Sequence, residues 1–336
     1  MTPDSSVPET ATRPPAVTLL GPLEEGFLAA GFRELLPMGA DLERHLAGVL
    51  ADALRHPGSL ARAQLAFAVL SELAVAAEPA RELAIAIEYF HTASLLFDDL
   101  PAMDDARERR GRACPHVVWG EAATMLGALG LINQGYRLLW RVIGQLPPER
   151  GREAAELVTA CLGTAGILDG QARDLHFAAA TRGLGAEETV GEVQRVAEGK
   201  TVPLVRLALV LPALVGGASG REVELLDRLA RAWGLAYQGI DDAKDGLLAP
   251  REAGKSTARD RLLGRPNLPA AAGWNGALAR LEELLAEAGS CLDQLAALRP
   301  AWGRLGALSQ RLADDLADLE SRRPGPERDR SLELCA

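Results

Sequence analysis

The sequence predicts an all-α fold, a single-domain helical bundle, on three observations. Apolar residues recur with a helical period, as at Leu83, Ile87, Phe90 and Phe97. Strand signals are scarce, because few β-branched residues alternate with polar ones and Asn-Gly turns are rare. Of the 336 residues, 48% are hydrophobic and 24% charged, which is a globular composition, and no shift in composition divides the interior.

Proline and glycine residues divide the chain into roughly ten helices of about 12–25 residues each, many of them apolar on more than one face. Such helices stabilise one another by packing into a bundle. The predicted breaks lie at residues 56–58, 78–79, 146–148, 183–186, 216–220 and 249–250. Residues 1–22 and 321–336 are polar and rich in proline or charge, so we expect flexible tails around a helical domain spanning residues 23–320.

Charge and cysteine content exclude several classes of protein. Thirty-six basic residues against 46 acidic ones give a net charge of −10, which disfavours nucleic-acid binding and anionic membrane surfaces. No uncharged apolar run reaches the ~18 residues of a membrane span, and the N-terminus does not resemble a signal peptide. The four cysteines form no CxxC pair, which is typical of a reducing compartment. We therefore expect a cytoplasmic protein.

The most informative stretch is HTASLLFDDLPAMDDARERRGR, residues 91–112. An apolar helix leads into Asp98 and Asp99, then into Asp104 and Asp105, and four arginines follow. Carboxylates crowded at a buried helix end repel one another, and a Mg²⁺ ion with open positions for phosphate oxygens relieves this repulsion. Six residues on a regular helix turn by about 600°, so the helix must bulge or end for Asp98 and Asp104 to share a metal.

A second acidic cluster repeats this arrangement about 140 residues later. WGLAYQGIDDAKDGL, residues 233–247, is an apolar helix that carries Asp241, Asp242 and Asp245. Asp241 and Asp245 are four residues apart and share a helix face, where two like charges need a counter-ion. Facing the first cluster across a cavity, these carboxylates would hold Mg²⁺ ions around a diphosphate.

Each cluster also has a simpler interpretation. The first is compatible with a solvated acidic loop balanced by arginines, and Lys244 alone would partly neutralise the second. The string Gly254-Lys255-Ser256 resembles the end of a phosphate-binding P-loop. We reject that interpretation, because Ala249 stands where the motif requires glycine and no strand is predicted before it.

Taken together, six motifs in order and spacing resemble the trans-isoprenyl diphosphate synthase (polyprenyl synthetase) family over about residues 40–300. The resemblance is greatest to bacterial geranylgeranyl diphosphate synthases. The matching strings are DDLPAMD with Arg109-Arg110-Gly111, DDAKD at 241–245, Lys200-Thr201, Gln171-Ala172-Arg173-Asp174, Tyr237-Gln238 and Lys255.

The resemblance implies an isoprenoid synthase bundle with a central cavity, in which isopentenyl diphosphate attacks an allylic carbocation. About three Mg²⁺ ions would assist ionisation of the allylic diphosphate. The implied catalytic residues are Asp98, Asp99, Asp104, Asp241, Lys200, Thr201 and Gln238. The implied metal ligands are Asp98, Asp99, Asp104, Asp241, Asp242 and Asp245. The implied diphosphate-binding residues are Ser59, Arg62, His91, Arg109, Arg110 and Lys255. Phe90, Ala93 and Ser94 would control chain length, and the small residues at 93 and 94 favour a twenty-carbon product.

One position departs from the family pattern and keeps two alternatives open. Ser59 stands where the family has a lysine that holds isopentenyl diphosphate, although Arg62 is kept. A terpene cyclase on the same bundle needs no isopentenyl site, and a regulatory subunit needs no activity at all. The family is usually homodimeric, and the apolar helix over residues 124–139 would suit either an interface or core packing.

Overall fold

A computed structural model describes residues 19–247 and 264–322. Within those ranges the chain is almost entirely helical, which confirms the predicted fold class. The helices are α1 (Pro22–Glu34), α2 (Arg44–Arg55), α3 (Ala61–Glu72), α4 (Ala77–Asp98), α5 (Pro115–Trp119), α6 (Glu121–Ile143), α7 (Pro148–Leu162), α8 (Ile167–Leu175), α9 (Phe177–Ala180), α10 (Ala186–Lys200), α11 (Val202–Val215), α12 (Gly220–Leu247), α13 (Leu268–Leu298), a 3₁₀ turn (Pro300–Leu305) and α14 (Gly306–Ser321).

The core of the bundle forms around α11, which is apolar on nearly every side. Helices α3, α7 and α12 pack against it, while α4 packs on α6 and α12 on α13. A helix that is hydrophobic all round is stable only when its neighbours enclose it. Among the helices of the described ranges, none has the length and apolar character needed to cross a bilayer.

Most predicted breaks coincide with observed loops, and one is displaced. Pro79 lies in the first turn of α4, where its missing N–H costs no hydrogen bond, so this helix begins at Ala77. The break precedes it, at Leu73 and at Ala74, whose φ is 56°. The predicted break at 249–250 lies outside the described residues. The predicted N-terminal tail, residues 1–22, extends too far, because Leu20 is 6% exposed and belongs to the core.

A short β-hairpin interrupts the helices directly after the first acidic cluster, and strand patterns did not predict it. Strands β1 (Glu108–Arg109) and β2 (Arg112–Ala113) pair antiparallel. Arg110 and Gly111 form the turn with φ of 54° and 73°. Turns with two positive φ values match the twist of a two-residue hairpin, and glycine adopts them without steric cost. The hairpin therefore fixes the positions of Arg109 and Arg110.

A buried hydrogen-bond network anchors the start of α12 and predicts acid sensitivity. Glu222 accepts hydrogen bonds from Arg299 Nε and Trp302 Nε1, both at 2.9 Å, and from the backbone N–H of Ser219 at 2.8 Å. Burial alone would raise the pKa of Glu222, but these donors outweigh it and lower the pKa from 4.5 to about 2. The unfolded chain then binds the proton more readily, so the stabilisation is complete above pH 4.5 and disappears towards pH 2.

We expect Glu222→Gln to lower the free energy of unfolding at pH 7 by about 1.5–3 kcal/mol, since a charge-assisted network is lost. Urea unfolding between pH 7 and pH 3 measures both effects. The wild-type protein should lose its advantage over the variant as the pH falls. A difference that stays constant over that range would contradict the assignment.

Candidate active site

The first acidic motif lies where α4 ends and the chain turns back. Helix α4 ends at Asp98, and the backbone N–H of Asp104 donates to the carbonyl oxygen of Asp98 at 2.9 Å. The Leu100 carbonyl accepts the backbone N–H groups of Met103 and Asp105, each at 2.9 Å. This closed turn returns Asp104 to the helix end and confirms that the helix ends between the two aspartates.

Asp98 carries its charge in an unfavourable environment. Burial raises its pKa to about 6, and Asp104 and Asp174 add to the rise, whereas Lys200 and Arg109 oppose it. A carboxylate whose ionised form is disfavoured in this way is stabilised by a nearby divalent cation.

Asp99 holds an arginine of the hairpin. Arg109 donates through Nε to both carboxylate oxygens, at 2.9 and 3.0 Å, and its Nη2 lies 2.7 Å from Oδ1. Asp99 is 2% exposed, so this bidentate pair is almost shielded from water. The thiol of Cys114 also contacts Asp99, and burial, followed by that carboxylate, raises the pKa of Cys114 to about 12. The oxygens of Asp99 are therefore occupied by protein donors.

A chain of ion pairs connects the first motif to α8 and α10. Lys200 Nζ lies 2.7 Å from Asp174 Oδ2, and Arg265 Nη1 lies 3.5 Å from the same oxygen. The other terminal nitrogen of Arg265 donates to Asp104 Oδ1 at 2.6 Å and to the Met103 carbonyl at 3.3 Å. Burial alone would lower the pKa of Lys200, but Asp98 and Asp174 outweigh it and raise the pKa.

Two glycines allow α8 and α10 to approach closely enough for this pairing. A Cβ atom on Gly170 would lie 2.1 Å from the carbonyl carbon of Gly199 and 2.2 Å from the backbone nitrogen of Lys200. Contacts that short never occur, so any side chain at position 170 would push the helices apart. Asp174 is one turn beyond Gly170, and Lys200 follows Gly199. The close approach thus sets the distance between Asp174 and Lys200.

The second acidic motif is attached to α10 and to the start of α13. Thr201 Oγ1 donates to Gln238 Oε1 at 2.7 Å, and Gln238 Nε2 donates to Asp242 Oδ1 at 2.8 Å. The backbone N–H of Leu268 donates to Asp242 Oδ2 at 3.0 Å, and Asn267 Nδ2 donates to the Asp242 carbonyl at 3.0 Å. Both carboxylate oxygens of Asp242 therefore accept protein donors. Burial raises its pKa to about 7.

Asp241 and Asp245 lie on α12 beside Asp242, and their charges contribute to its raised pKa. They share a helix face, as the spacing predicted. Both are partly buried.

A small cavity of about 60 Å³ lies beside the second motif, between α8, α10 and α12. Its polar lining comes from Asp174, Lys200, Thr201, Gln238 and Asp242. Its apolar lining comes from Val193, Val196, Ala197 and Pro266. Hydroxyl, amide and charged groups therefore face an apolar wall across this small space.

A second basic group surrounds His91. Burial lowers the pKa of His91 well below 6.5, and Arg62, Arg110 and Arg109 lower it further, so its ring is neutral near pH 7. Gly58, with φ 73°, gives Arg110 room, because a Cβ there would lie 2.1 Å from Arg110 Nη1. The buried Nε of Arg62 has no hydrogen-bond partner in the described part of the chain.

Glu88 is a buried carboxylate next to that basic group. It is 3% exposed, and its Oε2 accepts the backbone N–H of Ala63 at 3.0 Å, so it caps the start of α3 from a different helix. Burial raises the pKa of Glu88, and Arg62 and Arg110 oppose the rise. Ser59 is exposed on the preceding loop.

The three residues assigned to chain length lie on α4, below the first motif. Ala93 is fully buried, and the ring of Phe90 packs edge-on against Tyr136 of α6 with centroids 4.9 Å apart. Tyr136 in turn stacks on Trp140. Ser94 uses its hydroxyl to donate to the His91 carbonyl at 2.8 Å.

Sequence reasoning missed Arg265 and the roles of Glu88 and Asp174. Arg265 lies in a Gly-Arg-Pro-Asn string that has no periodicity, and its partners are about 90 and 160 residues away. Glu88 had a signal, since a glutamate on the buried face of an apolar helix demands a partner. Lys255 lies outside the described residues.

The donor set fits a divalent cation, provided that some side chains rearrange. Asp98 and Asp104 of the first motif, and Asp241 and Asp245 of the second, carry the hard oxygen atoms that a divalent cation prefers. Within the described ranges, no three His, Cys, Asp or Glu side chains are already grouped as a metal site. The ion pairs explain this, because arginine and lysine side chains hold Asp99, Asp104 and Asp174 in separate pairs.

Comparison with known proteins gives a consistent family. The family model for polyprenyl synthetase matches residues 43–300. The large subunit 2 of heterodimeric geranylgeranyl pyrophosphate synthase from Arabidopsis thaliana is 31% identical over 70% of this chain and 61% of its own length. Geranylgeranyl diphosphate synthase from Pseudescherichia vulneris is 32% identical over 68% of this chain and 79% of its own. The chain spans 57% of a second Arabidopsis thaliana relative, geranylgeranyl pyrophosphate synthase 11, so it covers less than two thirds of these plant proteins.

Solved structures share the fold. The apo structure of an FPP/GFPP synthase from Zymomonas mobilis superposes with a TM-score of 0.72 at 24% identity, covering 86% of this chain and 95% of the other. A geranyltransferase from Helicobacter pylori, solved in complex with magnesium and isoprenyl diphosphate, gives a TM-score of 0.70 at 24% identity and covers 88% of this chain and 99% of its own.

Proposed function

The chain belongs to the polyprenyl synthetase family, and from that premise we propose that it is a prenyltransferase. It joins isopentenyl diphosphate head-to-tail to an allylic diphosphate and uses Mg²⁺. The relatives named as geranylgeranyl and farnesyl diphosphate synthases support this activity.

One observation carries the proposal: two separate basic groups flank one set of carboxylates. Lys200 and Arg265 are ion-paired with Asp174 near Asp98 and Asp104. The second group, Arg62 and Arg110, surrounds a neutral His91. A reaction between two diphosphates needs two such sites beside each other.

In the allylic half, Arg109, Lys200 and Arg265 bind the diphosphate and stabilise the charge that develops as it leaves. Mg²⁺, up to three ions held by Asp98, Asp104, Asp241 and Asp245, would supply further neutralisation of that leaving group. Thr201 and Gln238, linked at 2.7 Å, present oriented dipoles to the cationic carbon chain. The apolar residues of the cavity exclude water from the cation.

In the isopentenyl half, Arg62, His91 and Arg110 hold the diphosphate, and the double bond attacks the allylic cation. The new tertiary cation then loses a proton to the diphosphate released from the allylic substrate, which forms the double bond of the product. The unpartnered Nε of Arg62 has a donor available for this ligand. Ser59, where the family has lysine, supplies at most a neutral hydrogen bond, so we expect a raised KM for isopentenyl diphosphate.

We propose a twenty-carbon product. Ala93 adds little bulk below the first motif, and Phe90, packed against Tyr136, lies about one helical turn further from it. Mass spectrometry of the product chain measures the length directly.

One assay separates the functions that the fold permits. Purified protein is incubated with Mg²⁺ and an allylic diphosphate, with and without isopentenyl diphosphate, and the products are identified by mass. A longer diphosphate that requires both substrates supports the proposal. A hydrocarbon or alcohol from the allylic substrate alone would identify a cyclase, for which Ser59 is the supporting observation. No turnover in either mixture would favour a regulatory subunit, as the relationship to a heterodimeric synthase suggests.

Asp99 has a role that differs from that of the other motif aspartates. Because both of its oxygens hold Arg109, we assign it to positioning that arginine rather than to the metal. We expect Asp99→Asn to raise the KM for the allylic diphosphate about tenfold, the loss of one charge-assisted hydrogen bond. The Mg²⁺ concentration for half-maximal rate should not change.

Asp104→Asn is the matched comparison, since it removes a proposed metal ligand of the same motif and should raise the Mg²⁺ requirement. A raised Mg²⁺ requirement in Asp99→Asn as well would return Asp99 to the metal ligands.

We also propose that the protein forms a homodimer through α5 and α6. Large apolar side chains are exposed along one stripe of these helices: on α6, Met125, Leu126 and Leu129 lie within about one turn, and Trp140 follows about three turns after Leu129. The stripe consists of Val118, Met125, Leu126, Leu129 and Trp140, each 41–56% exposed. Contiguous apolar surface of this kind marks protein–protein contacts, and a second copy supplies a matching stripe.

The double variant Leu126→Glu/Leu129→Glu should therefore be monomeric, because two charges would be buried in the contact. Light scattering coupled to size-exclusion chromatography measures the mass. Leu168→Glu is the control, since Leu168 and Leu126 are both 56% exposed but Leu168 lies on α8, outside the stripe. A wild-type monomer would contradict the proposal.

A further inference from the structure

Arg265 joins two carboxylates that belong to different parts of the site. One terminal nitrogen donates to Asp104 at 2.6 Å, and the other lies 3.5 Å from Asp174. The side chain is only 9% exposed, so the guanidinium sits among carboxylates with little water around it. This placement is that of a counter-ion held between two acidic groups.

Asp104 is also a carboxylate at which a divalent cation would relieve the repulsion between the acids of the first motif. Asp104 is the partner of Asp98 across the closed turn, and the charge of Asp104 contributes to the raised pKa of Asp98. A divalent cation at Asp104 would face the positive guanidinium at hydrogen-bond distance. A divalent cation on either oxygen of Asp104 would lie close to the guanidinium charge, and the two cations would repel each other in this partly buried site.

The guanidinium is also incompletely satisfied where it is. Its Nε is buried and has no hydrogen-bond partner within the part of the chain that the structure describes. The Met103 carbonyl, at 3.3 Å, is a weak additional acceptor. Arg265 therefore keeps a donor available for another anion while it neutralises Asp104.

We propose that Arg265 is the internal counter-ion of the metal-free site and competes with metal for Asp104. A divalent cation binds only when Arg265 leaves that carboxylate. The competition concerns metal binding alone. The further step, in which the released guanidinium turns to the diphosphate, rests on the proposed function.

Calorimetric titration with Mn²⁺ alone, without substrate, tests the competition. We expect Arg265→Gln to bind Mn²⁺ about tenfold more tightly than the wild type, a change that corresponds to about 1.4 kcal/mol. Arg173→Gln is the matched control: it removes the same charge from α8, where Arg173 is exposed and pairs with Asp169 at 2.7 Å. Its Mn²⁺ affinity should stay near that of the wild type.

A double-mutant cycle with Asp104→Asn separates a direct competition from a general change of potential. In the Asp104→Asn background, Arg265→Gln should no longer tighten Mn²⁺ binding, because the contested carboxylate is gone. Arg265→Lys keeps the charge but not the fork that reaches two carboxylates, so its affinity should lie between those of wild type and Arg265→Gln. Thermal unfolding without metal verifies that each variant is folded.

Equal or weaker Mn²⁺ binding in both Arg265 variants would overturn the inference. So would an equal gain in Arg173→Gln, or a gain that persists without Asp104. None of these measurements needs turnover. If no prenyl transfer is found but Arg265→Gln tightens Mn²⁺ binding, only the proposed function fails. If prenyl transfer occurs and the Mn²⁺ affinities are equal, only this inference fails.

Discussion

Asp98→Asn should lower kcat for prenyl transfer by about 10²–10³-fold, the loss expected when one group that stabilises a developing charge is removed. Asn cannot replace a carboxylate as a ligand of Mg²⁺, and the leaving diphosphate would be stabilised by the basic residues alone. The measurement is single-turnover formation of the longer diphosphate at saturating Mg²⁺. Asp241→Asn should give a similar loss, since it belongs to the facing motif.

Unfolding is not the expected cause of that loss. Burial raises the pKa of Asp98 to about 6, so its carboxylate, although mostly ionised at pH 7, is less stable in the folded protein than in the unfolded chain. A neutral isostere should therefore raise the midpoint of thermal unfolding in the absence of metal. Asp169→Asn serves as the control, because it removes an exposed carboxylate that pairs only on the surface of α8. Near-normal kcat in Asp98→Asn would refute the metal role.

Gly170→Ala should be the most disruptive single methyl addition in the site. The added carbon would lie 2.1 Å from the carbonyl carbon of Gly199, which is backbone and cannot rotate away. We expect a loss of about 1–3 kcal/mol in the free energy of unfolding, typical of an overpacked contact. The methyl group would push α8 and α10 apart, and these helices carry Asp174 and Lys200. The KM for the allylic diphosphate should therefore also rise. Urea unfolding and steady-state kinetics measure the two effects.

Gly191→Ala is the matched control for this steric argument. Gly191 lies within α10, and nothing stands within 4 Å of the position that its Cβ would take. Alanine is the better helix former, so this change should stabilise the protein by about 0.5–1 kcal/mol without altering KM. Destabilisation of similar size in both variants would show that close helix approach is not the cause.

The fold and the acidic half of the site were predictable because their signals are local. Helical periodicity predicted the bundle, and the position of Asp98 at the end of an apolar run predicted its burial. The six-residue spacing to Asp104 also required that the helix end, which the closed turn confirms.

The pairing of charges within the site was not predictable, because the partners meet only through the hairpin or through the packing of distant helices. Nothing in the string of four aspartates distinguishes Asp99, which holds Arg109, from Asp98, which holds no such partner in the hydrogen bonds described. Asp242 directly follows Asp241 in the sequence, yet it is the one that accepts the Leu268 N–H across the bundle. Such roles depend on tertiary geometry, and periodicity carries no information about them.

The short stretch from Arg265 to Leu268 has a consequence for how this site changes in evolution. Within four residues it contacts Asp104 of the first acidic motif through Arg265 and Asp242 of the second through Leu268. Because Leu268 donates through its backbone, every residue except proline keeps the anchor of the second motif. The contact with the first motif depends on the guanidinium of Arg265, so positions 104 and 265 should vary together among related sequences, whereas position 268 should exclude only proline.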